Sequence, residues 1–343
     1  MVDCLVFELE RKRQFLADQS IRTIYFGGGT PSVLTQDQLA QILAAITEHY
    51  QLTSDLEITL EANPDDVNPS SIRAWAALGV NRISLGIQSL HEDDLVFMNR
   101  SHTAKDCLAS LDQLINAKSF ELSVDLIYGF VGLTQEKLLY NIHSLADKPI
   151  HHMSCYAKTI EAKTAFHHQV HKGTLKEMQD KLVGQQFNTI HSELSKLGFD
   201  HYEISNYCRD QKYATHNTNY WKGNHYLGIG PSAHSFNGTK RFWNDSNNAA
   251  YITAIQQNQS ITEEETLTTK DKYNEYILTG LRTKWGVTFS EIERFGQAYL
   301  RGFELEAKNY LDTGQLTIKG ERIVIADEYW PIADRISSDL FMI

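Results

Sequence analysis

The residues best suited to hold a small polar ligand form a glycine-rich turn near the start of the chain. Residues 23–26 favour a strand, and Gly27, Gly28 and Gly29 follow directly. Glycine has no Cβ, so the turn can adopt backbone angles closed to other residues and let a ligand reach the main chain. A helical pattern begins after Thr30-Pro31, and a strand, a glycine turn and a helix together present backbone N–H groups to a charged ligand. The turn predicts a ligand cradle; a plain reversal of chain direction is the alternative.

Further polar side chains lie at the ends of predicted strands. Glu61 and Gln88 end two strands, and Asp125 lies in a third. The C-terminal ends of strands carry the chemistry of parallel α/β proteins, so we expect these residues to face the same mouth as the turn. A carboxylate such as Glu61 suits the vicinal hydroxyls of a ribose, and Arg100 could pair with a carboxylate through a bidentate fork. Each residue taken alone also fits a structural role, and the joint pattern supports a site.

The elements that position these residues alternate between strand and helix at intervals of roughly 30–40 residues, typical of βαβ units and a parallel sheet. The chain begins with a helix, so the first strand of a (β/α) barrel is absent. The fold class is therefore α/β, a partial (β/α)6-type barrel. The strands are predicted at residues 23–26, 56–61, 82–88, 121–128, 151–156 and 202–204, and the helices at 3–17, 36–50, 69–78, 105–117, 135–145 and 175–197.

The pattern changes after residue 205, which divides the chain into three predicted parts. Residues 1–205 form the barrel core, and residues 206–265 form a connecting segment rich in Asn, His, Gly and aromatic side chains. Residues 266–343 predict helices, a small hairpin and a last helix, which together indicate a winged-helix-like domain.

Composition excludes several classes of protein. The net charge of −11 argues against a nucleic-acid partner. No apolar run is long enough for a transmembrane helix and the first residues lack a secretory pattern, so we expect a cytoplasmic location. The four cysteines, Cys4, Cys107, Cys155 and Cys208, are too far apart for a local zinc or iron–sulfur motif.

A metal-dependent barrel hydrolase is a rival interpretation. The pairs His151-His152 and His167-His168, with His171, could indicate zinc. No carboxylate pattern accompanies these histidines, so the ligand rules for zinc disfavour this interpretation.

Seven motifs give the chain its family resemblance. Together they resemble the radical SAM family of oxygen-independent coproporphyrinogen III oxidases, and most closely its HemW-type heme chaperone branch. The likeness covers nearly all of the chain. The motifs are FGGGTPS (26–32), EANPDD (61–66), RISLGIQS (82–89), NRSH (99–102), VDLIYG (124–129), YEISNY (202–207) and HNTNYWKGNHYLGIGPSAHS (216–235).

The resemblance implies two cofactor sites. Its glycine motif contacts the amino group of S-adenosylmethionine (SAM), its second-strand Glu holds the ribose, and the other matched positions are further SAM contacts. The HNxxYW motif at residues 216–221 is associated with heme, and His216 is the residue suited to ligate iron. A histidine hydrogen-bonded within a polar loop is the alternative for His216. The implied SAM residues are Gly27, Gly28, Gly29, Thr30, Glu61, Gln88, Arg100 and Asp125.

The sequence departs from the family at the iron–sulfur cluster. The family holds a [4Fe–4S] cluster on a CxxxCxxC loop after its first strand, and this sequence contains no such loop. A misplaced start, a fragment or a cluster-free relative would each account for this. Phe130 also stands where the family usually has a proline before a glycine.

We therefore expect a heme chaperone that binds heme and SAM and passes heme to an accepting protein. The alternatives are a coproporphyrinogen oxidase-like radical SAM enzyme and an inactive fragment without a cluster. The resemblance leaves a peripheral contact with a membrane open. No radical chemistry is expected of a chain without the cluster loop.

Overall fold

A computed structural model describes residues 1–16, 20–159, 168, 170–173, 176–260 and 262–343. Their contacts divide the chain into two units. The first unit comprises Met1–Ile24, Leu34–Glu57 and Ala214–Ile343, and the second comprises Tyr25–Val33 and Ile58–Tyr213. None of the described helices is both long and apolar enough to span a membrane.

A seven-stranded sheet with the order β1-β2-β3-β4-β5-β7-β6 forms the centre of the fold. The pairings from β2 to β5 are parallel, as the alternation of strands and helices predicts, and β1 is an edge strand. The predicted partial barrel is therefore confirmed. The strands are β1 (Ile21–Phe26), β2 (Leu52–Ala62), β3 (Arg82–Gln88), β4 (Glu121–Tyr128), β5 (His152–Ala157), β6 (Asp200–Glu203) and β7 (Asn206–Cys208).

One strand was missed. The sequence predicted a single strand over residues 202–204, whereas β6 is followed by β7, which lies between β5 and β6 and is antiparallel to both. A three-residue strand is too short to show an alternating pattern, and only two residues separate it from β6. β7 starts at Asn206, where the sequence divided the barrel from a connecting segment; that division stays a prediction.

Two helices of the second unit begin at residues whose side chains cap the first turn. Thr103 accepts a hydrogen bond from the Asp106 backbone N–H at the start of α5, and Asn68 caps α3 ahead of its first-turn proline. The helix predicted from residue 175 begins at Asp180; residues 174–175 lie outside the described part. The helices are α3 (Pro69–Ala77), α4 (Glu92–Phe97), α5 (Ala104–Ala117), α6 (Gln135–Ala146) and α7 (Asp180–Lys196).

The two faces of the sheet differ in chemistry. Successive side chains of a strand point to opposite faces. In β3, Ile83, Leu85 and Ile87 share one face and are fully buried. Arg82, Ser84 and Gln88 share the other, which we call the polar face, together with the register partners of Arg82 and Ser84 on β2 and β4. The polar face is the part of the fold that can carry chemistry.

The first unit contains the remaining elements. Its helix α1 ends at Arg11, whereas the sequence predicted a helix to residue 17; residues 12–16 form turns, and residue 17 lies outside the described part. A three-stranded antiparallel sheet, β8–β10, lies in the predicted connecting segment except for its last residue, Thr266. The elements are α1 (Val2–Arg11), α2 (Gln36–His49), α8 (Thr215–Trp221), β8 (His234–Phe236), β9 (Lys240–Asn244), α9 (Asn248–Gln256) and β10 (Thr262–Thr266).

The C-terminal part of this unit agrees with the predicted helical, winged-helix-like domain. A small antiparallel sheet with the order β11-β13-β12 accompanies its helices. The predicted last helix is shorter, because a 3-10 helix over Asp327–Ile332 precedes it. The elements are α10 (Thr269–Leu281), β11 (Val287–Thr288), α11 (Phe289–Glu293), α12 (Gln297–Asp312), β12 (Leu316–Lys319), β13 (Arg322–Ile325) and α13 (Ala333–Asp339).

A buried carboxylate ties α1 to the β8–β10 region. Glu8 is 2% exposed, and its carboxylate accepts hydrogen bonds from the Tyr251 hydroxyl (2.6 Å), the Asn244 amide (2.7 Å) and the Gly230 backbone N–H (2.8 Å). Lys12 forms an ion pair with it at 2.7 Å. Two of these partners also bind each other, because the Asn244 amide donates to the Gly230 carbonyl as well, at 2.8 Å.

We expect Glu8→Ala to be strongly destabilising. Removing the carboxylate leaves several buried donors unpaired, which costs about 3–5 kcal/mol of unfolding free energy. Urea unfolding of the parent chain and of Glu8→Ala measures this loss of unfolding free energy. Glu10→Ala, an exposed change on the same helix, is the matched control and should stay within about 0.5 kcal/mol of the parent. A Glu8→Ala midpoint equal to that of the control would contradict the structural role.

Candidate functional site

The glycine turn is built as an open cradle. Gly28 and Gly29 have φ angles of +77° and +121°, which side-chain-bearing residues rarely adopt. A Cβ added to either would have no atom within 4 Å, so the space beside the main chain is open. Ser32 anchors the turn by donating to Asp66 (2.5 Å) and accepting from the Asn63 backbone N–H (3.3 Å).

Glu61 lies directly against this cradle. One carboxylate oxygen accepts from the Tyr25 hydroxyl at 2.7 Å and the other from the Gly28 N–H at 3.3 Å. A Cβ on Gly27 would come within 2.8 Å of the same carboxylate, so only glycine allows this approach. A carboxylate accepts about four hydrogen bonds, which leaves capacity for a ligand's hydroxyls.

Gln88 occupies an unusual backbone position at the end of β3. Its φ is +68°, and the pairing between β3 and β4 is irregular between Leu85 and Gln88. The side chain folds back over Gly86, where an added Cβ would meet the Gln88 amide nitrogen at 2.9 Å. Strained residues of this kind cluster at functional sites.

Asp125 projects from β4 on the polar face. The Ser84 hydroxyl donates to it at 3.0 Å, and Ser154 on β5 also hydrogen-bonds to it. Burial raises the pKa of Asp125 to about 6, aided by the charge of Glu61, while the two serines and Arg82 act in the opposite direction. Burial raises the pKa of Tyr25 as well, and the charges of Glu61 and Asp125 add to it, so these groups share one environment.

The structure therefore brings together part of the expected set. The glycine turn, Glu61 and Asp125 meet around Tyr25, and Gln88 lies at the same ends of the strands. Thr30 accepts a backbone hydrogen bond from Val33 at the end of the turn. Arg100 follows α4 and is half-buried, and its backbone N–H donates to the Leu95 carbonyl. Burial lowers the pKa of His102, and the positive charge of Arg100 acts in the same direction.

Three contributing residues were not singled out from the sequence. Tyr25, Ser84 and Ser32 each hold a residue of the cradle or of its acidic partners. Strand alternation could have found Ser84, because it lies two residues from Arg82 on the same face of β3. Ser32 follows the turn and offers no comparable signal.

His216 belongs to a separate arrangement in the first unit. It lies in the first turn of α8, whose preceding residue Ala214 supplies no side-chain cap. The Glu57 carboxylate replaces that cap by accepting from the Thr215 N–H (2.9 Å) and the His216 N–H (2.8 Å). His216 Nδ1 lies 3.0 Å from Thr23 Oγ1.

The ring of His216 is suited to stay neutral. Burial lowers its pKa, and the charge of Glu57 only partly opposes this. The Thr23 hydroxyl holds the ring through Nδ1, and which of the two atoms donates follows from the tautomer of the imidazole. Tyr220, one helical turn on, has its ring centre 6.3 Å from that of His216.

The cysteines do not form a cluster site. All four are buried and lie on different elements: α1, α5, β5 and β7. Burial raises the pKa of the Cys107 thiol to about 12, which disfavours the thiolate that binds iron. Among the residues placed by the structure, no group of three or more His, Cys, Asp or Glu could hold a metal ion. His167 of the zinc interpretation lies outside those residues.

Buried histidines predict a pH dependence of stability. His152 hydrogen-bonds Ser123 (2.7 Å) and Tyr202 (2.8 Å), and burial, with the Arg82 charge, lowers its pKa well below 6.5. The unfolded chain then binds more protons as the pH falls below 6.5, so the unfolding free energy decreases there. The effect of Asp125 on the unfolding free energy has the opposite sign. Its pKa in the folded protein, about 6, exceeds the ordinary value of 3.8, so its protonation favours folding as the pH falls below 6.

We therefore expect the urea midpoint to fall between about pH 7.5 and 6, and the decline to weaken below about pH 6 where Asp125 titrates. His152→Gln should flatten the slope, because the amide keeps hydrogen-bonding capacity without a titrating ring. A midpoint that does not change with pH, or an equal slope in the variant, would contradict the assignment.

Two family models match separate parts of the chain. The Radical SAM superfamily model matches residues 8–145, and the HemN C-terminal domain model matches residues 267–328. The structure is similar to that of coproporphyrinogen III oxidase HemN, a radical SAM enzyme from Escherichia coli, with a TM-score of 0.84 over 99% of this chain and 82% of that one. The sequence identity is 19%, so this likeness shows the fold alone.

Curated relatives define the family more closely. Heme chaperone HemW from Mycobacterium tuberculosis is 30% identical over 330 residues, covering 96% of this chain and 83% of the relative. Heme chaperone HemW from Lactococcus lactis is 32% identical over 303 residues, covering 88% and 79%. The chain belongs to the HemW family.

Proposed function

We propose that this chain is a heme chaperone: it binds heme and SAM and passes heme to an accepting protein. The observation that carries the proposal is the match to curated heme chaperones along most of both chains. A cytoplasmic location and a heme-accepting partner belong to the same proposal.

The heme site centres on His216. Its ring is buried enough to stay neutral and is oriented by Thr23, which are the two conditions for an imidazole ligand to iron. Glu57 holds the backbone of the same residue. Tyr220 offers an exposed aromatic ring on the same side of α8.

The SAM site lies at the glycine cradle. The residues fit the cofactor, because the open main chain of the turn suits an amino group and Glu61 retains capacity for the ribose hydroxyls. When bound, SAM would supply a sulfonium group, whose bonds to carbon are activated for cleavage. The assigned residues are Gly27, Gly28, Gly29, Thr30, Glu61, Gln88, Arg100 and Asp125.

The iron–sulfur cluster that the family implies does not fit the residues of this chain. Its thiols are buried and dispersed, so no step is assigned to a cluster here. The coproporphyrinogen oxidase alternative is not favoured, since the likeness to that enzyme is one of fold.

Titration with hemin tests the proposal. We expect one equivalent of hemin to bind and give a Soret band distinct from that of free hemin and of a control protein. A spectrum that grows with hemin without saturating near one equivalent would contradict specific binding.

A further inference from the structure

An exposed aromatic ring lies on the polar face, where the strands end. Tyr156, near the end of β5, is 43% exposed, whereas the four residues of β5 before it are buried. It pairs in register with Ile127 of β4, and Ser154, two residues earlier, pairs with Asp125. Because alternate residues of a strand share a face, Tyr156 stands on the same face as Asp125. None of the residues assigned to the SAM site accounts for this ring.

The space beside the ring is open. Its neighbours on β4, Ile127 and Asp125, are half-buried, and the turn at Gly28 and Gly29 leaves the main chain of the cradle accessible. Burial is the largest cause of the raised pKa of Tyr156, so its hydroxyl lies among protein atoms within the curl of the sheet, while much of the ring stays exposed. The ring therefore offers an accessible face to a ligand on the polar face.

Three carboxylates surround the hydroxyl end of this ring. After burial, their charges are what raises the pKa of Tyr156; they belong to Asp125, Glu203 and Glu61. Glu203 is 1% exposed, so it contributes charge and no open surface, whereas the other two are half-buried. The positive charge of Arg82 opposes them, but it affects the pKa of Asp125 less than burial, the two serines and Glu61 do. The surroundings of the ring therefore favour a cation.

A cation with an apolar surface suits this arrangement best. The face of an aromatic ring attracts a cation within about 6 Å, and proteins bind quaternary ammonium groups in this way. A sulfonium has the same character, because its charge is shielded by carbon substituents that donate no strong hydrogen bonds. Ile127 offers those substituents an apolar neighbour. SAM, the ligand proposed for the polar face, carries such a sulfonium.

We propose that Tyr156, together with Ile127 and Asp125, recognises the sulfonium group of SAM and so distinguishes SAM from its neutral thioether counterpart. Tyr156 supplies the face of its ring, Ile127 an apolar side and Asp125 a negative charge. This inference rests on the proposed function, because it concerns the same SAM site.

The first test compares SAM with S-adenosylhomocysteine, which keeps the adenine, ribose and amino acid but carries a neutral thioether. Calorimetric titrations measure both affinities for the parent chain and for Tyr156→Leu, which keeps an apolar side chain without the ring. The parent should prefer SAM. Tyr156→Leu should weaken SAM about three- to thirtyfold and change the affinity for the thioether by less than about twofold. Equal losses for the two ligands would indicate a contact with adenine or ribose and would overturn the proposal, as would an unchanged preference for SAM.

Two further variants separate the ring face from other effects. Tyr156→Phe keeps the face and removes the hydroxyl, so its affinity for SAM should stay within about twofold of that of the parent. A loss as large as that of Tyr156→Leu would assign the effect to the hydroxyl and contradict the proposal. Tyr140→Leu removes a ring that is 52% exposed on α6, and both affinities should be unchanged. A matching loss of SAM affinity in this control would contradict recognition by Tyr156.

Asp125→Asn tests the contribution of the charge. The amide keeps a partner for the Ser84 hydroxyl and removes the negative charge. At about pH 8, above the pKa of about 6, the variant should reduce the preference for SAM over the thioether at least about fivefold. An equal loss for the two ligands would show that Asp125 contacts a part of SAM other than the sulfonium, and would overturn the proposal.

The outcomes separate this inference from the proposed function. If the parent chain binds SAM and the variants respond equally to both ligands, the inference alone is wrong. If the parent binds neither ligand, the SAM part of the proposed function fails, and trimethylsulfonium chloride serves as the probe. It should raise the urea midpoint of the parent above that in sodium chloride of equal ionic strength, and raise that of Tyr156→Leu less. Equal responses of the two chains would overturn the inference.

Discussion

Replacing His216 by alanine should weaken heme binding at least about 100-fold. Mutating a residue that only orients a metal ligand costs about 10–100-fold in affinity, so removing the ligand itself should cost at least the upper value. The backbone N–H of residue 216 remains bound to Glu57, so α8 should keep its first turn. Hemin titration followed at the Soret band gives the affinity.

Two matched variants sharpen this test. Thr23→Val removes the contact to His216 Nδ1 and keeps the ring, so a loss of about 10–100-fold is expected. His225→Ala removes an exposed histidine of the same segment and should leave the affinity unchanged. Equal affinity of His216→Ala and the parent chain would remove His216 from the site.

Replacing Glu61 by glutamine should weaken SAM binding about 10–100-fold. A hydrogen bond to a charged group contributes about 1.5–3 kcal/mol, and the amide offers one acceptor where the carboxylate offered two. The Tyr25 hydroxyl and the Gly28 N–H both hold the carboxylate, so the amide also disturbs the cradle. Calorimetric titration with SAM measures the change.

An analogue of SAM without the two ribose hydroxyls provides the control. If Glu61 binds those hydroxyls, Glu61→Gln should change the affinity for the analogue far less than that for SAM. Tyr25→Phe should give a smaller loss of the same kind, because it removes one of the two groups that orient the carboxylate. Equal losses for SAM and the analogue would show that Glu61 acts elsewhere.

The alternation of strands and helices was predictable from the sequence because each element has its own apolar period. The glycine turn and Glu61 follow from the same pattern, since the ends of parallel strands share an edge. The left-handed backbone of Gln88 was not predictable, because it depends on the irregular pairing of β3 with β4.

The contacts of His216 with Thr23 and Glu57 could not be predicted from the sequence either. Thr23 and Glu57 lie 193 and 159 residues earlier in the chain, and no local pattern joins residues at such separations.

Transfer of heme from this chain to another protein tests the central claim most directly. The chain is loaded with one equivalent of hemin, freed of excess and mixed with an apo-heme protein whose holo spectrum is distinct. The account predicts that the holo spectrum forms faster from the loaded parent chain than from hemin held by a non-specific carrier, and that His216→Ala gives no such advantage. Transfer no faster than from the carrier would contradict a heme chaperone.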